Sequence, residues 1–184
     1  LLDICSFVPF KGHIFIFKAL KYLIEKGYDK IKLKIAGYGY YEKELKKFIN
    51  SNNLSKYVIF LGYFKYGSPQ MIYEIKHSDA FIHPSVITKD DKEGIPGAIV
   101  EAMIAGLPVI STYHGGIPYV IENEKTGLLV KEWDVKGLAE AIERLVNDIE
   151  LRRRLGQNAQ KYALENLDLI EKEKELESIY DGLL

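Results

Sequence analysis

Glu93 and Glu101 are the residues whose types and spacing point most clearly to chemistry, because seven residues separate them around the start of an apolar helix. If that helix begins near Gly97, Glu93 lies in the loop before it and Glu101 about one turn inside. Both carboxylates can then face one cleft at the helix N-terminus. The backbone N–H groups of residues 94–98 add donors for an anion, and a glutamate there can accept two hydrogen bonds from vicinal hydroxyls such as those of ribose.

The spacing alone leaves a structural interpretation of the two glutamates open. In that alternative Glu101 pairs with a basic residue and Glu93 is solvated, because ion-pair networks also place carboxylates in protein cores. Residues 98–105 are so apolar that we expect their helix to be buried on most sides, and a buried carboxylate needs a partner.

Lys11 and Gly12 lie between the first predicted strand and the first predicted helix. A lysine there can bind an anion together with free backbone N–H groups, although solvated loop lysines are common. His83 and His114 each follow a predicted strand, and either could hydrogen-bond a ligand. The alternative for both is a structural or solvent-facing histidine.

The sequence predicts no metal site. His13 and His77 lack the spacing of metal ligands, and the single cysteine, Cys5, excludes an intramolecular disulfide and a multi-cysteine zinc site. Asp90 and Asp91 could suggest a divalent cation, but the lysines that flank them favour a solvated charge cluster.

The composition is that of an ordinary globular protein. The 184 residues, 47% hydrophobic and 28% charged, are enough for one α/β domain with a full core. A net charge of −1 gives no overall field for nucleic acid or an anionic membrane, so any phosphate site must be local. Residues 1–4 read as the middle of a strand, and we therefore expect the sequence to be a piece of a longer protein.

Short apolar strands alternate with helices along the chain, which predicts a parallel sheet with helices on both faces. We predict strands at residues 1–8, 31–36, 57–61, 80–82, 109–112 and 128–130. We predict helices at residues 14–26, 41–50, 69–77 and 98–105, after the cap at Asp134, and at 149–165 and 168–182. Ligands of such sheets bind at the carboxyl ends of the strands. Gly37–Gly39 follows one of these ends, but Glu42 leaves the dinucleotide glycine motif incomplete, which favours a plain turn over a dehydrogenase site.

An ordered series of short segments resembles the C-terminal domain of the group 1 (family 4) retaining glycosyltransferases, which have the two-domain GT-B architecture. The segments are EGIP at 93–96, EAM at 101–103, AGLPVIST at 105–112, GGIP at 115–118 and TGLLV at 126–130. Glu93 and Glu101 match the E-x7-E motif of that family. Four earlier segments fall in family order: KG at 11–12, AGYG at 36–39, FLGY at 60–63 and HPS at 83–85. The resemblance covers about residues 4–150.

This resemblance implies that residues 1–184 form one Rossmann-like, donor-binding domain, the C-terminal half of a GT-B enzyme, with the acceptor domain absent from this chain. The whole enzyme would transfer a hexose from a nucleotide-diphosphate sugar to a glycan or lipid-linked acceptor, in cell-surface polysaccharide biosynthesis. It would need no cofactor, no metal and no nucleic-acid partner. A cytoplasmic enzyme, with peripheral association at the inner face of the membrane, is compatible with that role.

The resemblance also implies a role for individual residues. Glu101 would bind the ribose hydroxyls, and Glu93 would face the donor sugar. Lys11 and Gly12 would bind the donor at its diphosphate, and Lys11 would stabilise the leaving group, since negative charge grows there as the bond breaks. The remaining contacts would come from the backbone: Gly94, Ile95, Pro96, Gly97 and Ala98 towards the sugar and diphosphate, and Tyr63 and Phe64 beside the base.

One position departs from the family pattern. The family usually has an arginine, also on the diphosphate, where this sequence has Ser6. Two alternatives to a full transferase therefore stay open: a binding module that has the fold without the catalysis, and a sugar-nucleotide epimerase of the same architecture.

Overall fold

The structure, a computed structural model, describes residues 1–89, 93–167 and 169–181. Within these ranges, six strands alternate with helices. The strands are β1 (Leu2–Ile4), β2 (Leu33–Ala36), β3 (Val58–Gly62), β4 (Phe81–His83), β5 (Val109–Thr112) and β6 (Leu128–Val130). The α-helices are α1 (His13–Glu25), α2 (Glu42–Ser51), α3 (Pro69–Lys76), α4 (Gly97–Ile104), α5 (Val135–Asn147), α6 (Ile149–Asn166) and α7 (Leu169–Asp181). Short 3-10 helices cover Pro9–Lys11 and Ile117–Tyr119.

The strands form one sheet in the order β3-β2-β1-β4-β5-β6, and every pairing is parallel. From β1 the chain adds β2 and β3 on one side. It then crosses back to place β4 on the other side of β1, and adds β5 and β6 beyond it. The direction of winding therefore changes between β1 and β4. In open α/β sheets, a crevice for ligands opens at this point, outside the carboxyl ends of the two strands.

The sheet has a hydrophobic core on each face, as the prediction of helices on both sides requires. Consecutive strand residues alternate between the cores: Ile82 belongs to one and Phe81 to the other. The Ile82 core also takes in buried residues of α1, α2 and α5, such as Leu20, while the Phe81 core takes in residues of α3, α4 and α6, such as Met103.

Most predicted elements are present within one to three residues of their predicted ends, but the strand predicted at 1–8 is much shorter. Beyond Ile4 the chain still pairs on its β2 side, where the Cys5 N–H donates to Ala36 O and the Phe7 N–H to Tyr38 O. It then turns at Pro9, whose ring fixes φ and removes an N–H donor. Residues 5–12 therefore form a loop at the carboxyl end of β1, beside the crevice.

The predicted helix caps at Ser68 and Asp134 are confirmed. Ser68 Oγ accepts a hydrogen bond from the Met71 N–H at 3.3 Å, and Asp134 Oδ1 accepts one from the Gly137 N–H at 2.8 Å. None of the helices in the described ranges is long and apolar enough to cross a membrane. The charge cluster predicted at Asp90 and Asp91 lies outside the described residues.

Candidate functional site

The loops that follow β1, β4 and β5 meet at the crevice between β1 and β4. Gly12 makes the first of these contacts possible: its φ is +78°, and a Cβ there would lie 2.0 Å from Pro84 O. Only glycine fits so close to the backbone of the β4 loop. Its neighbour Lys11 is thereby held against the same loop.

Lys11 Nζ donates to Glu93 Oε2 at 2.6 Å, across 82 residues of sequence. Each side chain is only 12% exposed. Ser85 Oγ donates to the same Oε2 at 3.0 Å, and His83 Nε2 lies 3.6 Å from it. Burial would raise the pKa of Glu93, but the His83 ring and the Lys11 ammonium outweigh it and lower that pKa to about 2. Glu93 is therefore an ionised carboxylate, and none of these contacts uses its Oε1.

The position of Glu93 is fixed through its backbone as well. Its N–H donates to His114 Nε2 at 2.8 Å, so this nitrogen must carry a lone pair. The proton of the His114 ring is then on Nδ1, which donates to Glu132 Oε1 at 2.9 Å. Glu132 Oε2 accepts the Ile87 N–H at 2.5 Å. The His114–Glu132 pair thus holds the β4 loop at Ile87 and at Glu93.

The two glycines after β5 let that loop approach Glu93 closely. A Cβ on Gly115, whose φ is +53°, would lie 2.0 Å from Glu93 O. The Gly116 N–H donates to Gly94 O at 3.0 Å. This close approach explains the glycine pair physically: a side chain on Gly115 would push Glu93 away.

Glu101 sits on α4, beyond Gly97 at its start, and a Cβ on Gly97 would lie 3.9 Å from Glu101 Oε1. Burial raises the pKa of Glu101, and no described residue forms a hydrogen bond or ion pair with its carboxylate. The basic partner of the structural alternative is therefore absent from the described part of the chain. Burial of α4 on most sides was also wrong, because Ile104 is 42% exposed and Glu101 is only partly buried.

Two exposed tyrosines lie just after β2 and β3, at the carboxyl ends of these strands. The Tyr38 and Tyr63 rings meet edge to face with their centroids 5.2 Å apart, and each side chain is 64% exposed. Phe64 is partly buried against the Phe81 core. The turn at Gly37–Gly39 is packed on the β1 loop, since a Cβ on Gly37 would lie 1.8 Å from Cys5 O.

His83 and His114 are buried and contact protein groups, which favours the structural alternative for both. His83 Nδ1 lies 2.9 Å from Oδ1 of the fully buried Asp3. The other Asp3 oxygen lies 3.4 Å from Cys5 Sγ and 3.5 Å from His13 Nε2. We define Asp3, Cys5, His13 and His83 as the buried cluster. Sequence reasoning missed it, although an aspartate inside an apolar strand was a signal.

Asp3, Cys5 and His13 also carry ligand types that suit a zinc ion, and one atom from each lies within 4.8 Å of the others. Contacts among these atoms already engage all three, since Cys5 Sγ also lies 3.3 Å from His13 Nε2. Burial, with the nearby Asp3 charge, raises the pKa of the Cys5 thiol well above its usual value. Cys5 and His13 thus both lie against the same oxygen of Asp3, opposite its contact with His83.

The family profile described as glycosyl transferases, group 1, matches residues 2–162. The chain belongs to the group 1 glycosyltransferases. The resemblance recognised in the ordered segments is thus confirmed.

Two curated relatives within this family act in polysaccharide biosynthesis according to their names. The chain is 34% identical over 143 residues to the putative colanic acid biosynthesis glycosyltransferase WcaL of Escherichia coli K12, covering 77% of this chain and 34% of WcaL. It is 37% identical over 150 residues to the amylovoran biosynthesis glycosyltransferase AmsK of Erwinia amylovora, covering 79% of this chain and 35% of AmsK. The matched region spans about a third of the length of these relatives.

Among solved structures, HepE of Anabaena in complex with UDP superposes with a TM-score of 0.85 at 24% identity, over 98% of this chain and 48% of HepE. This likeness confirms the fold, the Rossmann-like domain of the GT-B glycosyltransferases.

Proposed function

We propose that this chain is the donor-binding domain of a retaining glycosyltransferase, which transfers a hexose from a nucleoside diphosphate sugar to a glycan or lipid-linked acceptor in polysaccharide biosynthesis. The observation that carries the proposal is Glu101, a half-buried carboxylate without a partner among the described residues, placed beside the start of α4 and eight positions after the ionised Glu93. A partly desolvated carboxylate without a hydrogen-bond donor lowers the stability of the folded state. Two adjacent sugar hydroxyls could donate a hydrogen bond to each of its oxygens.

The surroundings of Glu101 support a nucleoside diphosphate sugar as the ligand. At the start of α4 the Ile99 N–H donates to Pro96 O, whereas no backbone partner among the described residues accepts from the Gly97 or Ala98 N–H, and such N–H groups favour negative charge. Lys11 provides a full positive charge in the same crevice, and the exposed rings of Tyr38 and Tyr63 offer an aromatic surface for a base. HepE, whose fold this chain shares, was crystallised with UDP and with UDP-glucose.

The proposed chemistry assigns separate tasks to the two charged residues of the Lys11–Glu93 pair. Breaking the bond between the sugar and the diphosphate places negative charge on the leaving phosphate, where the Lys11 ammonium can stabilise it. Glu93 Oε1, which is free of the contacts that hold Oε2, is available to the hydroxyls of the donor sugar. These groups need no metal ion for the transfer, and we propose that the reaction proceeds without one.

The alternative of a binding module without catalysis has one specific observation in its favour. Ser6, at the position of the usual family arginine, is exposed in the β1 loop and brings no charge to the crevice. Turnover of a sugar donor by the full-length protein would exclude this alternative.

A panel of UDP, GDP and ADP, each paired with its nucleoside, tests the proposal by thermal shift and calorimetry. Ligand binding to the native state raises the unfolding temperature according to RT ln(1 + [L]/Kd), so the preferred base gives the largest shift. We expect at least one nucleoside diphosphate to bind. If none of the three binds at about millimolar concentration, a range that detects even weak sites, the proposed function is wrong.

A further inference from the structure

One oxygen of Glu93 lies near three side chains that can donate a hydrogen bond. Lys11 Nζ and Ser85 Oγ bind Oε2 at 2.6 and 3.0 Å. His83 Nε2 faces the same oxygen at 3.6 Å and has no hydrogen-bond partner, although it is fully buried. Glu93 uses one of the three N–H donors of the Lys11 ammonium, and among the described residues His83 is the other side chain facing Oε2 that can carry a positive charge.

The surroundings of His83 fix the protons on its ring. Asp3 Oδ1 lies 2.9 Å from Nδ1, and an ionised carboxylate only accepts hydrogen bonds, so Nδ1 carries a proton. A lone pair on Nε2 would face the ionised Glu93 and be repelled by it, whereas an N–H there is attracted. The geometry therefore favours the imidazolium. Burial lowers the pKa of His83, but the hydrogen bond to Asp3 and the contact with Glu93 outweigh it, and the net pKa is raised.

The charges around His83 balance only if its ring is an imidazolium. Burial would raise the pKa of Asp3, but hydrogen bonding to His83 lowers it overall, so Asp3 is an anion like Glu93. Burial lowers the pKa of His13 to about 4 and raises that of Cys5, so both are neutral. The two carboxylates are thus matched by the Lys11 and His83 cations. If a neutral His83 stood there, departure of Lys11 would leave Asp3 and Glu93 without a cation among the described residues, which is strongly unfavourable.

We propose that His83, oriented by Asp3, is a positioning residue for the donor site. Its Nε2–H holds the Glu93 carboxylate ionised and in place while the Lys11 ammonium transfers from Glu93 to the diphosphate of the donor. The inference rests on the proposed function for the diphosphate, whereas the charged state of His83 can be tested without any ligand. His83 thus supplies a second cation to a crevice in which Ser6 supplies none.

Nitrogen-15 NMR of the histidine rings in the wild-type chain tests the charged state directly. The four histidines give few signals, and His83→Asn assigns the one that disappears. We expect both ring nitrogens of His83 to be protonated at about pH 6, below the ordinary histidine pKa that this ring exceeds, and only one nitrogen in His13. A neutral His83 ring under these conditions would overturn the proposal.

Binding measurements on three variants test the positioning role. His83→Asn keeps a donor towards Asp3 and removes the one that faces Glu93, whereas His83→Gln places an amide where Nε2 stood. His77→Asn, at the exposed end of α3, is the matched control. The quantity measured is the ratio of UDP affinity to uridine affinity, or the same ratio for the base preferred in the panel, because it isolates the contribution of the diphosphate.

We expect His83→Asn to lower this ratio about tenfold, because the variant removes the cation that faces Glu93. His83→Gln should recover part of the loss, and His77→Asn should have no effect. Lys11→Gln should cost less in the His83→Asn background than in the wild type, because the two residues act through the same carboxylate.

Equal losses for UDP and uridine would indicate a purely structural role for His83 and overturn the proposal, as would independent effects of the Lys11 and His83 substitutions. Absence of nucleotide binding by the wild type would instead refute the proposed function, and the NMR experiment would still decide the state of His83.

Discussion

Lys11 and Glu93 come from loops that follow different strands, β1 and β4, and their side chains meet at 2.6 Å in the crevice between those strands. Gly12 brings the two loops into contact on one side, and the His114–Glu132 pair fixes the Glu93 loop on the other. The sheet topology thus turns two residues 82 positions apart into one charged pair.

Glu101→Gln should weaken nucleotide binding and stabilise the protein at the same time. Burial raises the pKa of Glu101, which means that the folded state disfavours the ionised carboxylate and loses stability at neutral pH. We expect the unfolding temperature to rise by about 1–3 °C, while affinity for both nucleoside and nucleoside diphosphate falls about tenfold. Differential scanning calorimetry and isothermal titration calorimetry measure the two effects.

The substitution is informative because stability is expected to rise while nucleotide affinity falls. A carboxylate with a purely structural role would lose stability when changed to the amide and leave nucleotide affinity unaltered. Glu44→Gln, at an exposed position of α2, is the matched control for nucleotide affinity, which it should leave unchanged.

The fold and the location of the site could be predicted from the sequence because they depend on local patterns. Alternating strands and helices require a parallel sheet, and loops at the carboxyl ends of its strands then lie together. The glutamates of the site were recognisable for the same reason, since both belong to one continuous segment. Their environments could not be predicted, because the exposure of α4 depends on which neighbouring elements cover it.

The buried cluster could not be predicted because its members interact only through the sheet topology. Asp3 and His83 are 80 residues apart, and nothing near either of them in sequence indicates the partner. His114 is similar: its contact with the Glu93 backbone depends on the close approach at Gly115, which exists only when β4 and β5 are neighbours. A single aspartate in an apolar strand indicated that a partner must exist, but not which residue it is.

Lys11→Gln should selectively reduce the contribution of the diphosphate. We expect affinity for UDP to fall about tenfold and affinity for uridine to change less than about twofold, because the ammonium is proposed to contact only the phosphates. Lys11→Arg should restore part of the loss, since it retains the charge. Lys43→Gln, an exposed lysine of α2, controls for the change in net charge. If UDP and uridine lose equal affinity, Lys11 does not bind the diphosphate.

Gly115→Ala should destabilise the protein and displace Glu93. The new Cβ would lie 2.0 Å from Glu93 O, and the residue would also have to adopt a φ of +53°, so we expect a loss of about 2–3 kcal/mol in the free energy of unfolding. Urea denaturation measures the loss. Nucleotide affinity should fall as well, because the displaced backbone carries the loop that leads to α4.

Gly67→Ala separates the two causes. Gly67 has a similar φ of +67°, but no heavy atom lies within 4 Å of the position of a Cβ. The Gly67→Ala variant should therefore lose only about 1 kcal/mol in the free energy of unfolding, through backbone strain, and keep its nucleotide affinity. Equal losses for the two variants would show that the close approach of Gly115 to Glu93 is unimportant.

Acid should destabilise the protein from about pH 6.5 downwards, well above the range in which carboxylates titrate. Burial lowers the pKa of His13 from 6.5 to about 4. Between these two pH values the unfolded chain therefore binds a proton at His13 and the folded chain does not. The stability contributed by the neutral ring is complete above pH 6.5 and is lost as the pH falls to about 4, a change of about 3 kcal/mol. The lowered pKa of Glu93 extends the loss from 4.5 to about 2.

Urea denaturation at a series of pH values, compared between the wild type and His13→Gln, measures the first part of this loss. The variant should be less stable near neutral pH, but its stability should depend less on pH between about 6.5 and about 4. His83 does not obscure the comparison, because its raised pKa places its own contribution at higher pH: that contribution is complete below 6.5 and is lost only as the pH rises through the raised value. Parallel pH profiles for the wild type and His13→Gln would show that folding does not lower the pKa of the His13 ring, contrary to the arrangement around Asp3 described above.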